Sequence, residues 1–223
     1  MNRRKSFELF SKAADLGDFH GMRICANLMM KGVDAPLDIV KARELYMKDA
    51  EESDLASLEA LMEMDLGDVG KPANPKDAYS VAVNCILKRD FAKAEKKLRP
   101  GAKRGDEAHM NLLALMHLKG WIKTDRTEMT DLFRRALDKG NYMAGYYLGS
   151  ILSEEECDRE TVFDCFMRGL DAGDERAMWR LGRMMYEGDG TTMNREEGIR
   201  WMRSAREFGV AEAGEYLAKE GIE

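Results

Sequence analysis

Three groups of residues in this chain have types that could do chemistry. The first is Glu187-Gly188-Asp189-Gly190, which could pass for a loop holding a metal ion or a phosphate. An EF-hand loop needs oxygen ligands at alternating positions and a closing glutamate, and of these only Asp189 is in place. A phosphate loop needs a preceding strand, or Lys-Ser/Thr after its glycines, and neither is there. The second group is the histidines, His20, His109 and His117, which form no HExxH or comparable motif. His109 and His117 lie on one predicted helix, about 12 Å apart along its axis, too far to share an ion. The third is the carboxylate run "SEEECDRE" (153–160), which reads as a connector followed by a helix start. No Ser/His/Asp order or GxSxG elbow accompanies it, so the residues give no acid–base or nucleophilic assignment. The expectation is a protein without catalytic residues, cofactor or metal.

The cysteines and the composition narrow the setting. Cys25, Cys85, Cys157 and Cys165 allow three pairings, and their spacing selects none. Free thiols in a reducing compartment are the simpler account, which makes the cytoplasm the expected location unless a signal was removed. The opening "MNRRKSFELFSKAADLGD" lacks the continuous apolar core of a secretory signal. No apolar run reaches the ~20 residues that span a bilayer. A net charge of −6 argues against a general nucleic-acid binder. Residues 88–104 run the other way, with eight basic residues against Asp90 and Glu95. This segment reads as a solvated helix face or, more sharply, as a docking patch for an acidic partner made of Lys93, Lys96, Lys97, Arg99, Lys103 and Arg104.

The elements that would position these residues repeat along the chain. A residue able to end a helix is followed by one able to start the next at Gly17-Asp18, Ser53-Asp54, Gly105-Asp106, Gly140-Asn141 and Gly173-Asp174, with Gly209-Val210 as a weaker copy. Glycine just past a helix adopts the left-handed conformation that closes it, and Asp or Asn then accepts hydrogen bonds from the free N–H groups of the next helix. Successive turns lie 36, 52, 35, 33 and 36 residues apart. The turns are therefore the joints of a repeat of ~35 residues with one anomaly.

The interior follows the same ruler. Small residues come four after the turn glycine, at Gly21, Ala144, Ala177 and Ala213. Pairs of a bulky and a small residue come next, at Cys25-Ala26, Leu113-Ala114, Leu148-Gly149, Leu181-Gly182 and Leu217-Ala218. These positions share one side of a helix, so that side is buried and lets a neighbouring helix come close. A second glycine ends this first helix at Gly32, Gly120 and Gly188, so the Glu-Gly-Asp-Gly segment is a turn. Second helices carry Leu9 and Ala13, Leu132 and Ala136, and Trp201 and Ala205, and Asn194 with Glu197 gives the last a capping-box start. The 52-residue interval holds two second-helix-like segments, 76–90 and 91–106, which implies an inserted helix or hairpin that ends or kinks near Arg99, before Pro100.

Residues 177–209, "AMWRLGRMMYEGDGTTMNREEGIRWMRSAREFG", resemble a Sel-one-like repeat, a relative of the tetratricopeptide repeat. Ala177, Leu181-Gly182, Tyr186, Gly188, Gly190, Trp201, Ala205 and Gly209 match its pattern in order. Residues 142–152 and 21–33 match more loosely, and the resemblance breaks down between about 67 and 105. It implies an all-α protein, an α/α solenoid forming a right-handed superhelix of about six stacked hairpins over residues 1–223, irregular around 90–105. It also implies a non-catalytic scaffold that binds a peptide or partner segment on the concave surface lined by first helices. On the tetratricopeptide arrangement, exposed first-helix positions are Arg176, Trp179, Arg183 and Tyr186, with Tyr146, Ser150, Asn111, Leu115, Arg23 and Asn27 in other repeats. Trp179 and Tyr146 have a second reading, packing against the adjacent repeat. Hydrolysis of a cell-wall or β-lactam-like substrate is an alternative by family association alone. Single-stranded RNA binding through 88–104 is a third. Half-repeats at 1–17 and 210–223 would act as caps, or pair with another copy in a homodimer.

Overall fold

The structure is a computed structural model that describes residues 3–32, 35–52, 54–64, 69, 71–155 and 157–222. The described residues hold thirteen α-helices and no strand. They are α1 (Arg3–Asp15), α2 (Phe19–Lys31), α3 (Ile39–Glu51), α4 (Leu55–Glu63), α5 (Ala78–Leu87), α6 (Phe91–Arg104), α7 (Glu107–Leu118), α8 (Arg126–Asp138), α9 (Ala144–Ser153), α10 (Arg159–Asp171), α11 (Glu175–Glu187), α12 (Arg195–Glu207) and α13 (Ala211–Lys219). The chain divides into two compact units, 1–136 and 137–223. In the first, α1 to α7 each pack on the next helix along the chain, and in the second α9 to α13 do the same. Helices that meet mainly their chain neighbours, with similar hairpins following one another, make an all-α solenoid.

The turn chemistry works as the residues dictate. Gly17, Gly105, Gly173 and Gly209 all have positive φ, between 80° and 99°. Behind them Asp18 accepts from the Gly21 N–H at 2.6 Å, Asp106 from His109 at 3.0 Å and Asp174 from Arg176 at 3.0 Å. Asp54 caps α4 through the Ser57 N–H at 2.6 Å; its expected turn partner Ser53 lies outside the described residues, as does Val33 of the 21–33 match. One cap departs from expectation. Gly140 turns as predicted, but α9 starts only at Ala144, so the residue directly before it is Met143 rather than Asn141, and Met143 gives no side-chain hydrogen bond.

Small residues set the helix contacts in 137–223. A Cβ on Gly182 of α11 would lie 2.9 Å from the Gly198 carbonyl oxygen of α12. A Cβ on Gly145 of α9 would lie 2.6 Å from the Gly169 nitrogen of α10. Backbone therefore touches backbone at both crossings, which no other residue allows without pushing the helices apart. The bulky partners Leu148 and Leu181 are buried beside these points, and Ala177, Ala205 and Ala213 are fully buried. At the first helix the register differs from expectation. Leu9 is 61% exposed, and α1 instead packs through Phe7, Phe10 and Ala14 onto Met22 and Cys25.

The anomalous interval resolves into two separate helices. Eight of the ten residues of α5 are buried, because it meets α3 and α4 as well as the inserted α6. Helix α6 is not stopped at Arg99: it runs through Pro100 to Arg104. Proline removes an N–H and frees the carbonyl four residues back, here that of Lys96. Both Lys96 and Pro100 lie on the exposed side of α6, so the interruption falls away from the core. The buried side, Ala94, Leu98, Gly101 and Ala102, is uninterrupted.

Candidate partner-binding surface

The first helices of 137–223 are α9, α11 and α13. On α11, Arg176 takes its place from its own turn, donating to both Asp174 carboxylate oxygens at 3.0 and 2.7 Å. The same guanidinium lies over the Tyr146 ring at 4.1 Å and the Tyr147 ring at 5.0 Å, and donates to the Tyr147 hydroxyl at 3.1 Å. Ser150 is half-buried next to this group, and its hydroxyl donates to the Tyr146 carbonyl at 2.8 Å. Two turns along α11, Arg183 is exposed, donates to Glu187 at 2.9 Å and lies 5.4 Å over the Tyr216 ring of α13. Tyr216 donates its hydroxyl to the same Glu187 oxygen at 2.9 Å, and burial with that bond pushes its pKa up to about 12. Tyr186 sits edge-on to Tyr216 at 6.3 Å and under the Arg195 guanidinium at 5.5 Å. Guanidiniums stacked on aromatic rings thus run across α9, α11 and α13, each contact worth about 0.5–1 kcal/mol where exposed.

Not every position expected to be open is so. Trp179 is 6% exposed, packed on Tyr216 with ring centroids 5.1 Å apart, so of its two readings the structure takes packing against the adjacent repeat. Asn111 and Leu115 are buried in α7, with nine of its twelve residues. Arg23 is buried in an ion pair with Asp54 and lies 3.2 Å from the His20 ring. Asn27 is half-buried and accepts from the Tyr46 hydroxyl at 2.6 Å. The expectation that Arg23, Asn111, Leu115 and Trp179 are exposed is therefore corrected. Sequence offsets alone place a residue within a helix, whereas burial depends on how many helices surround it. The side chains that remain accessible on this surface are Arg183 and, in part, Tyr146, Ser150, Arg176 and Tyr186.

Sequence reasoning missed a cleft of about 240 Å³ beside this surface, between the end of α9, the start of α10 and α11. Arg159 reaches Asp189 through two hydrogen bonds, one of 2.8 Å from Nε and one from Nη2. Asp189, the one ligand-like residue of the Glu-Gly-Asp-Gly turn, is thus a clamp on the preceding hairpin, and Arg159 holds its carboxyl below the usual range. Gly190 completes the fit, since a Cβ there would overlap the Arg159 carbonyl oxygen. Arg180 also lines the cleft. The signal was present in the sequence: Arg176, Arg180 and Arg183 share one face of a helix at spacings of four and three.

The basic segment forms the outer face of α6. Lys93, Lys96, Lys97, Arg99, Lys103 and Arg104 are all exposed there, and among the described residues only Arg99 of these is tied down, to Glu95 at 2.6 Å and Glu128 at 2.8 Å. Cys25, Cys85 and Cys165 are buried thiols and Cys157 is half-buried. Among the described residues no group of three or more His, Cys, Asp or Glu could hold a metal, and no helix is long and apolar enough to cross a membrane.

The repeat can be compared with known proteins on this footing. The sequence profile of the Sel1 repeat matches residues 2–18, 21–51, 110–141 and 175–207, just over half of the chain. The chain belongs to the Sel1 repeat family. The gap in the matches between 51 and 110 spans the inserted α6 and the fully wrapped α5, where the helix pattern is least regular. No curated protein sequence matches this Sel1 repeat protein. Among solved structures, a protective antigen of uropathogenic Escherichia coli strains with an SLR fold superposes over 100% of this chain and 46% of its own, with TM-score 0.54 at 21% identity. The chain thus spans about half of that antigen. A Sel1 repeat protein from Oxalobacter formigenes superposes over 92% of this chain and 79% of its own, with TM-score 0.50 at 22% identity. At these identities the likeness shows the fold.

Proposed function

We propose that this Sel1 repeat protein is a non-catalytic scaffold that binds a segment of a partner protein along the first-helix surface of residues 137–223. The observation that carries this reading is the guanidinium–aromatic array of Arg176, Tyr146, Arg183, Tyr186 and Tyr216. Tyr and Arg are the residue types richest in binding energy at interfaces. Here their rotamers are already held by hydrogen bonds and stacking, so little side-chain entropy is lost on binding. Membership of a repeat family with stacked hairpins supports the same reading. The exposed lysines of α6 suit a second, weaker and salt-sensitive contact with an acidic surface.

The test is an affinity pull-down from native extract with mass spectrometry, comparing wild type, Arg183→Glu with Tyr186→Ala, and Lys96→Glu with Lys97→Glu. A partner lost only with the first pair, while circular dichroism stays helical, supports the first-helix surface. Partners that survive the first pair and vanish with the second move the working surface to α6. Partners kept by both variants sink the reading.

A further inference from the structure

We propose that the cleft beside α11 is a recognition site for one carboxylate side chain, an aspartate or glutamate of the bound partner segment, with Arg180 as the recognising cation. This deepens the scaffold reading and rests on it for the source of the carboxylate. The walls carry three guanidiniums and two carboxylates. Arg159 is neutralised by Asp189, and Arg183 by Glu187 at 2.9 Å. Arg180 makes no hydrogen bond or ion pair among the described residues, and its Nε is buried without an acceptor. A buried guanidinium donor left without an acceptor is unfavourable, and the folded chain by itself does not relieve it.

The chemistry of the missing acceptor follows from the walls. One positive charge is in excess, which a monoanion balances and a phosphate dianion would reverse. A carboxylate also matches the planar fork of arginine, taking two parallel N–H bonds. Phe166 and Met184 give the cleft apolar wall, suited to the methylene stem of a glutamate rather than to an ion hydrated on all sides. Its volume of about 240 Å³ has room for a single side chain and no folded element. Arg183 stands at the same cleft and on the exposed surface of α11, so an acidic residue in the cleft would anchor a segment lying along that surface.

The experiment is a titration of the full chain, followed through arginine Nε–H resonances by nuclear magnetic resonance, with Arg180 assigned by its disappearance in Arg180→Lys. The probes are the blocked peptide acetyl-Ala-Glu-Ala-amide, its glutamine counterpart and inorganic phosphate, each up to about 10 mM, the range of weak single-group contacts. The Arg180 resonance is expected to move and saturate with the glutamate peptide, and to need about tenfold more of the glutamine peptide, the discrimination a charge-assisted pair gives. In Arg180→Gln the remaining cleft arginines are expected not to respond, with helical circular dichroism intact. In Arg180→Lys they should respond weakly, which guards against a variant that merely misfolds. Equal response to the two peptides, no response to either, or saturation by phosphate at lower concentration than by the glutamate peptide overturns the proposal. The titration needs no partner protein. A saturating titration beside an unchanged pull-down supports the cleft and removes the scaffold reading, and the reverse pair of results does the opposite.

Discussion

Replacing Gly198 by alanine should destabilise the protein, although the same exchange in an unobstructed helix stabilises it by about 1 kcal/mol. A Cβ on Gly198 would stand 2.5 Å from the Gly182 carbonyl oxygen, 2.8 Å from the Tyr186 nitrogen and 3.0 Å from the Tyr186 Cβ. The first two are backbone atoms of α11, which no change of rotamer can move aside. Comfortable contact between heavy atoms begins near 3.5 Å, so α11 and α12 must part by roughly 1 Å. Overpacking of this kind costs about 1–3 kcal/mol, and the fixed backbone puts Gly198 at the upper end. Less the propensity gain, the net loss is about 2 kcal/mol, or a fall in melting temperature of about 4–8 °C for a chain of this size. Gly214 in α13 is the internal control. Its added Cβ would meet only the flexible Arg206 side chain at 3.4 and 3.5 Å, an ordinary contact. Gly214→Ala should therefore raise the melting temperature by about 2–4 °C. Thermal melts followed by circular dichroism read both variants. A Gly198→Ala protein that melts at or above wild type would show that the two helices are not locked by backbone contact.

Two further outcomes are expected. In native protein Ellman's reagent should find one fast thiol, Cys157, while Cys85 and Cys165 react only on unfolding. Cys25 should be equally protected, since it is buried and its folded-state pKa is pushed up to about 11 by burial and the nearby Asp15; two or more fast thiols would contradict this packing. The Arg159–Asp189 clamp should make stability depend on pH. The hydrogen bonds from Arg159 lower the Asp189 pKa in the folded state, so its contribution is complete above the unfolded value of about 3.9 and is lost as pH falls through the lower folded value. Both side chains are partly solvated, which limits the contribution to about 1 kcal/mol. Urea melts of wild type and Asp189→Asn should thus differ at neutral pH and converge in strong acid, and a gap that stays constant between the two would refute the assignment.

The turns, the period and most of the buried face were legible because each follows from local rules. A left-handed glycine must end a helix, and an aspartate after it must cap the next; Gly17-Asp18, Gly105-Asp106 and Gly173-Asp174 obey. The small residues Gly182 and Ala177 announced a close helix contact through their spacing alone. Where the sequence misled, the deciding neighbour lay far along the chain. Pro100 stays inside α6 because the carbonyl it frees is on the solvent side, a fact about what packs around the helix. Asn141 is not the residue directly before α9, because the chain makes an extra turn there.

The candidate site was half visible. Types and spacing put Arg176, Arg183 and Tyr186 on one helix and named the surface they share. They could not show that Trp179 is covered by Tyr216, since that contact joins α11 to α13 across a complete intervening helix. Nor could they pair Arg159 with Asp189, thirty positions apart, and so reveal Arg180 as the cation left over. By itself the sequence determined the repeat, most of its turns and the class of fold, because backbone hydrogen bonding and apolar periodicity act over a few residues. Only the tertiary structure decided which charges are balanced and which aromatics are covered, because both depend on side chains that chain order keeps apart and stacking brings together.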